Sequence, residues 1–148
     1  MKYFISLILV IILGLYPQGQ KHISEKGTLI VKIVGLRNND GCMKIFLFNS
    51  GEGFPNYPKK ALKIIDVYNL ENNKCQASFK DIQFGEYAVS SLHDENKNNE
   101  MDTGLFGIPT EGYGASNDAR GFFGPPKYKD AKFFFSRDSL NIVMRMTY

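Results

Sequence analysis

The chain has 148 residues, 22% of them charged, and a formal net charge of +3. This length accommodates one domain with a buried core but not two ordinary domains. Because the charge is low and no basic run occurs, we expect neither nucleic acid nor an anionic membrane as a partner.

The first 20 residues resemble an export signal. Lys2 precedes an apolar run over residues 4–15, and a polar stretch with a proline follows. A run of about 12 apolar residues is shorter than the roughly 20 that a spanning helix needs, which favours a cleaved signal over a membrane anchor. We therefore predict a signal peptide at residues 1–20 and an exported chain that is periplasmic, on the cell surface or extracellular.

After a predicted linker at residues 21–27, runs of β-branched and aromatic residues alternate with short stretches of Gly, Asn, Asp and Pro. This pattern is typical of strands joined by turns. The predicted strands are 28–34, 42–48, 61–68, 75–79, 85–92, 131–135 and 140–148. The first two and the last two are each expected to form a hairpin. About seven strands without a long amphipathic helix predict a single all-β domain at residues 28–148, an antiparallel Greek-key β-sandwich.

The two cysteines, Cys42 and Cys75, lie in different predicted strands. In an oxidising compartment they can pair if their Cα atoms lie within about 7 Å of each other. Neither has a second Cys or a His at the spacing of a zinc site. Two alternatives therefore stay open, a structural disulfide and a pair of unreactive core thiols.

Residues 93–130 show no clear periodicity and are rich in Gly, Asn, Asp and Pro. Loops of this length in compact domains are usually functional or disordered. The many large apolar side chains in the segment favour an ordered loop that packs on its own aromatics. The aromatic residues that such a loop would present to a partner are Phe106, Tyr113, Phe122 and Phe123.

Oxygen-bearing side chains recur at the start of this segment with the spacing of a calcium loop. Asp94, Asn96, Asn98 and Asp102 occupy positions one, three, five and nine, and the backbone carbonyl of Glu100 falls at position seven. Calcium takes about six to eight oxygen ligands, and a curling backbone turns alternate residues toward one centre. The spacing therefore predicts Ca²⁺ as the ligand of this loop.

The calcium pattern is incomplete, and a second interpretation stays open. Position six is Asn99 instead of Gly, although Asn tolerates the left-handed conformation. Position twelve is Leu105, so a bidentate carboxylate would have to come from Glu111. The alternative is a turn whose Asp and Asn side chains cap their own backbone amides. His93 adjoins the loop, where a single His is more often a structural residue than a metal ligand.

Catalytic signatures are sparse. The segment Gly114–Asp118 lacks the second glycine of a nucleophile elbow. A carboxylate pair among Glu95, Glu100 and Glu111 would suit a glycosidase, but a loop of unknown path does not give the separation of the carboxyl groups. The sequence therefore predicts no catalytic residues and favours a protein that is not an enzyme.

Five strings of residues resemble a known family. They are Gly85–Val89, Leu92–Asn98, Met101–Thr103, Phe106–Asn117 and Gly124–Ala131. These strings are similar to the secreted bacterial family catalogued as domain of unknown function 2141, over residues 28–148. The family usually has Asn-Gly where this chain has Asn98-Asn99. The resemblance brings no activity; it implies an exported β-sandwich of the transthyretin-like or immunoglobulin-like kind, with residues 93–131 as the signature loop.

Three functions are compatible with these observations. The first is an envelope binding module whose loop, stiffened by calcium, presents aromatic rings to a peptide, a glycan or an envelope protein; exposed rings would support it. The second is a structural envelope domain that calcium stabilises and that has no ligand. The third is an envelope hydrolase, which needs a cleft where two carboxyl groups converge. A monomer is expected in each case.

Overall fold

The structure is a computed structural model that describes residues 25–148. Eight strands make up most of this part of the chain. They are β1 Lys26–Val34, β2 Cys42–Phe48, β3 Lys63–Val67, β4 Lys74–Gln83, β5 Gly85–Asp94, β6 Gly112–Ala115, β7 Phe133–Phe135 and β8 Ser139–Arg145. Short 3₁₀ turns occur at Pro58–Lys60, Leu105–Gly107 and Ser116–Asp118, and a single-turn helix, α1, at Tyr128–Ala131.

The predicted signal peptide, residues 1–20, and most of the predicted linker lie outside the described residues. β1 begins at Lys26, inside the predicted linker and two residues before the predicted strand. Within residues 25–148, no helix is long and apolar enough to cross a bilayer.

The strands form two sheets. The first sheet has the order β4-β1-β8, and the second has the order β3-β2-β5-β6, with β7 pairing with the start of β5. The predicted all-β, sandwich-like fold is confirmed. Among the described pairings, β1 with β8 is parallel and the others are antiparallel.

The main core lies between the two sheets. Alternate residues of β1 are fully buried because one face of a strand points toward the opposite sheet. They are Leu29, Val31 and Ile33. Every residue of β2 is buried, because connecting segments cover the outer face of this strand as well. A second apolar cluster, Phe46, Phe48 and Leu92, lies under that cover. All of these core residues belong to residues 25–148.

The predictions differ from the structure in two respects. Neither predicted hairpin forms, because β1 pairs with β4 and β8, β2 pairs with β3 and β5, and β7 pairs with β5. The segment predicted as one loop, residues 93–130, contains β6, which is four residues long and half glycine. A strand this short shows no alternation that sequence reasoning can detect.

Cys42 and Cys75 lie in β2 and β4, on different sheets, and both are buried. No disulfide joins them in the described part of the chain. Burial raises the pKa of the Cys75 thiol to about 11. A thiol that stays protonated is a poor nucleophile, which agrees with a packing role.

The chain after β8 crosses from the first sheet to the second. Thr147 exchanges two backbone hydrogen bonds with Tyr113 of β6, at 2.9 and 2.8 Å. Tyr148 follows and packs over Gly112, where a Cβ atom would lie 2.5 Å from the tyrosine ring. This crossing closes one side of the sandwich next to the segment that joins β5 to β6.

Candidate functional site

Two loops leave β6 at its two ends. We call residues 94–111, between β5 and β6, the acidic loop, and residues 116–132, between β6 and β7, the basic loop. The strands β5 and β6 are antiparallel, with His93 opposite Gly112 and Ser90 opposite Ala115. The loops therefore start from opposite ends of the strand. Three of the four aromatic residues predicted to face a partner are divided between them, and Tyr113 lies in β6.

Asp94 closes the first turn of the acidic loop. Its fully buried carboxylate accepts the N–H of Asn98 at 3.0 Å and the N–H of Asn99 at 2.9 Å. Asn99 has φ +69° and Lys97 has φ +63°, both in the left-handed region. A side chain that caps two amides in this way stabilises such a bend.

Three predicted metal-binding side chains meet inside this turn. The amide nitrogens of Asn96 and Asn98 donate to the two carboxylate oxygens of Asp102, at 2.6 and 2.8 Å. The amide oxygen of Asn96 accepts the N–H of Asn98, and that of Asn98 accepts the N–H of Glu100. Glu100 itself is exposed. The structure thus brings Asn96, Asn98 and Asp102 together and leaves the Glu100 side chain in solvent.

Glu111 ties the two halves of the acidic loop together. Its side chain is buried, and its carboxylate accepts the N–H of Glu95 at 2.8 Å and the N–H of Asp102 at 3.1 Å. The residue predicted as a calcium ligand therefore holds the backbone of the loop.

The carboxylates of Asp94 and Glu111 accept four backbone N–H groups between them. Within residues 25–148, no group of three His, Cys, Asp or Glu side chains is arranged to hold a metal ion. The geometry corresponds to a turn that caps its own amides.

His93 projects to the opposite face of β5 from Asp94, since successive side chains alternate along a strand. Its ring is fully buried. Nδ1 lies 2.7 Å from the hydroxyl of Tyr148, and Nε2 lies 2.9 Å from the carbonyl of Asp40. Both ring nitrogens therefore contact protein groups, and His93 connects β5 to the crossing segment.

Arg37 binds the acidic loop from the β1–β2 connection. Its Nε lies 2.7 Å from Oε1 of Glu95 in an ion pair, and Nη2 donates to Oε2 at 3.0 Å; Asn38 donates to the same Oε2. Oε1 is buried and contacts Arg37 through this ion pair. Arg37 also donates to the carbonyl of Thr110 and lies over the ring of Tyr148.

Two opposing effects act on the Glu95 carboxyl. Burial raises its pKa, whereas hydrogen bonds from Arg37 and Asn38 and the charge of Arg37 lower it. The second effect is larger, so the pKa of Glu95 lies below its ordinary value. The carboxylate is therefore ionised at neutral pH and stabilises the loop in that form.

The carboxylates considered for a hydrolase do not converge. Glu95 pairs with Arg37, Glu111 binds backbone amides, and Glu100 faces solvent. An open groove of about 430 Å³ lies between the edges of β3 and β4. Its lining residues come from these two strands and none belongs to the acidic loop.

The far end of the acidic loop is a small hairpin with an apolar tip, formed by Leu105, Phe106 and Ile108. The N–H of Gly104 donates to the carbonyl of Ile108 at 2.8 Å and closes the hairpin. All three tip side chains are exposed, and Phe106 is 98% exposed. Phe106 has φ +61°, which is uncommon for a bulky residue. The sequence had predicted a loop that packs on its own aromatics. Polar groups hold this loop instead.

Neutral side chains hold the two ends of the basic loop together. The Ser116 hydroxyl accepts the N–H of Val89 at 2.9 Å and donates to the carbonyl of Ala131 at 2.6 Å. The side-chain amide of Asn117 donates to the carbonyl of Lys132 at 2.9 Å. Sequence reasoning did not predict this role for Ser116 and Asn117. The strand that precedes them, β6, was itself not visible in the sequence.

The basic loop also carries an exposed apolar group, which we call the phenylalanine pair. Phe122 and Phe123 are 91% and 94% exposed, and their rings contact each other at 4.5 Å between centroids. Tyr113, the fourth aromatic residue of the predicted set, is half-buried in β6 and belongs to neither loop tip.

A comparison with known proteins identifies the family of this chain. No curated protein and no solved structure matches the chain. The profile of DUF2141, described as an uncharacterized protein conserved in bacteria, matches residues 31–143. The matched region contains both loops and includes all or part of each strand. The chain therefore belongs to the DUF2141 family.

Proposed function

We propose that this chain is an exported binding module of the bacterial envelope, and that its acidic loop presents the apolar tip to a partner protein. The observation that carries the proposal is the exposure of Phe106, 98%, between two other exposed apolar residues. Isolated exposed apolar side chains are normal, but a contiguous group at the end of an ordered loop is typical of an interaction site. Export rests on the predicted signal peptide.

The base of the acidic loop supports this role. Glu111 and Asp94 fix its backbone, and Arg37 fixes Glu95 beside it. A tip that is already ordered loses less conformational entropy when a partner binds. The polar base therefore positions the apolar tip before binding.

The composition of the tip favours a protein over a glycan. Aromatic anchors that enter apolar pockets dominate many protein interfaces. A glycan site needs polar side chains free to bond sugar hydroxyls, whereas those of Asp94 and Glu111 bind the loop backbone. In a purely structural domain, nothing would favour an exposed phenylalanine in the left-handed conformation.

Site-specific crosslinking in the native bacterium tests the proposal. A photoreactive amino acid at position 106 should give one discrete adduct, and adding the Leu105→Ser change to the same labelled chain should reduce its yield. The same label at Tyr68 is the matched control, because this residue is 66% exposed and lies outside both loops. An identical set of adducts from both positions, or no adduct from position 106, would contradict the proposal.

Calcium binding by the acidic loop is a second, separable proposal. It is supported by the meeting of Asn96, Asn98 and Asp102, because an amide that rotates by half a turn exchanges its nitrogen for an oxygen. Those oxygens and the Asp102 carboxylate are ligands that calcium accepts. The structure itself has these amides as donors to Asp102.

Calorimetric titration of the chelator-treated protein with calcium tests this second proposal. We expect saturable heat and a higher melting temperature in calcium, both lost in Asp102→Asn. The matched control is Asp138→Asn, an exposed acidic residue outside the loop. A wild-type protein that shows neither heat nor a thermal shift would leave the self-capped turn as the whole explanation of the loop.

A further inference from the structure

The phenylalanine pair lies within a stretch of the basic loop that carries only positive charge. Between Ala119 and Lys129 the sequence has three basic residues and no acidic one. The basic residues are Arg120, Lys127 and Lys129, and all three are exposed. Two apolar rings and three cations therefore occupy the same exposed part of the chain.

Two of the charged residues around this stretch are already paired. Asp118 binds the guanidinium of Arg145 at 2.9 Å, and Lys132 binds Glu86 at 2.9 Å. Asp130 follows the stretch directly and is exposed. None of the three basic residues inside the stretch forms an ion pair with another residue of the described chain. Their charge is available to an external anion.

The stretch is held in a compact turn. Ser116 and Asn117 tie its start to the carbonyls of Ala131 and Lys132. At the tip, the backbone of Gly121 packs so closely against the carbonyl of Gly124 that a Cβ atom has no room there. The phenylalanine pair is therefore carried at the end of a short, braced projection.

We propose that the basic loop docks this protein on an anionic lipid surface, with the phenylalanine pair entering the apolar boundary of the bilayer and the three basic residues contacting lipid phosphates. Peripheral membrane segments combine buried apolar area with attraction to anionic headgroups in this way. Each basic residue near an anionic surface contributes about 1 kcal/mol, or roughly fivefold in affinity.

The shape and charge of the loop favour lipid over a protein partner. The pair projects from the surface, and a projection can enter a bilayer without a complementary pocket. The low net charge of +3 had argued against an anionic membrane, but that number averages over the chain. The structure leaves three cations unpaired in the same short stretch of chain as two exposed aromatic rings, which is the local property that lipid binding needs.

Vesicle binding tests the proposal with a chain that begins at Lys21, which retains every core residue of the sandwich. The probes are vesicles of phosphatidylglycerol mixed with phosphatidylcholine and vesicles of phosphatidylcholine alone. The variants are the double change Phe122→Ser with Phe123→Ser and the triple change of Arg120, Lys127 and Lys129 to Gln. Tyr68→Ser is the matched control, and thermal melts establish that each variant is folded.

We expect binding to the anionic vesicles only. The double variant should bind at least about tenfold more weakly, because two buried rings are lost. The triple variant should bind about a hundredfold more weakly, and added salt should act in the same direction. Tyr68→Ser should bind like the wild type. Equal binding to both kinds of vesicle, no binding to either, or full binding by the folded double variant would overturn the proposal; in the last two cases a protein is the better partner for the pair. None of these results depends on the crosslinking at position 106.

Discussion

The acidic and basic loops leave opposite ends of the same four-residue strand, and each carries exposed phenylalanine at its tip. Their bases differ in chemistry. In the acidic loop, the carboxylates of Asp94 and Glu111 accept backbone N–H groups. In the basic loop, the neutral side chains of Ser116 and Asn117 donate to backbone carbonyls. Glu95, next to the first group, has a lowered pKa, so the contribution of the acidic loop to stability should depend on pH.

The largest effect should come from Glu111. Its replacement by Ala leaves two amides of the acidic loop without their acceptor, at a cost of about 3 kcal/mol of unfolding free energy. Gln keeps one acceptor oxygen, so Glu111→Gln should cost about half of that. Urea denaturation measures both. Glu100→Ala, at an exposed position, is the control, and an equal loss in this variant would contradict the role of Glu111.

A smaller effect is expected at the base of the basic loop. Ser116→Ala removes a buried hydroxyl that accepts from Val89 and donates to Ala131, and should cost about 2 kcal/mol. The same denaturation experiment measures it, with the exposed Ser136→Ala as control. If Ser116→Ala were as stable as the wild type, the loop would have to be held elsewhere.

The dependence on pH should separate the two loops. The folded pKa of Glu95 lies below its ordinary value, so its stabilising contribution is fully present above the unfolded pKa, about 4.3, and is lost as pH falls through the folded pKa. The stability difference between wild type and Glu95→Gln should therefore shrink in acid. The difference for Ser116→Ala should stay constant over the same range. If the stability losses of the two variants depended on pH in the same way, the two loops would not differ in how they are held.

The smallest effects are expected at the tips. Phe106→Ser and Phe122→Ser should each change the unfolding free energy by less than about 0.5 kcal/mol, because both rings are almost fully exposed. Denaturation midpoints measure this directly. A large loss at one tip only would show that its ring packs on the domain, and the comparison of two exposed tips would no longer hold.

Much of the fold follows from local sequence patterns. The alternation along β1 is visible in the sequence because strand periodicity is local. The parallel pairing of β1 with β8 is not visible, since a pairing partner is a property of the whole fold. β6 is hidden by its two glycines and its length.

The candidate site also combines features that follow from local sequence with features that depend on the whole fold. The meeting of Asn96 and Asn98 with Asp102 follows from their spacing along one turn. The ion pair of Arg37 with Glu95 joins distant parts of the chain, and no pattern indicates it. The sequence does not indicate that the two tips are exposed, because composition does not show whether apolar or polar side chains hold a loop.

The parallel pairing of β1 with β8 has a consequence for how the chain is made. Leu29 lies opposite Leu140, so more than one hundred residues separate the partners. Contacts between residues so far apart in sequence slow folding, because a long loop must close first. While the chain is being synthesised from its N-terminus, one edge of β1 has no partner until the last residues are available. An open strand edge is a template for aggregation, so we expect the growing chain to depend on a chaperone that keeps β1 covered.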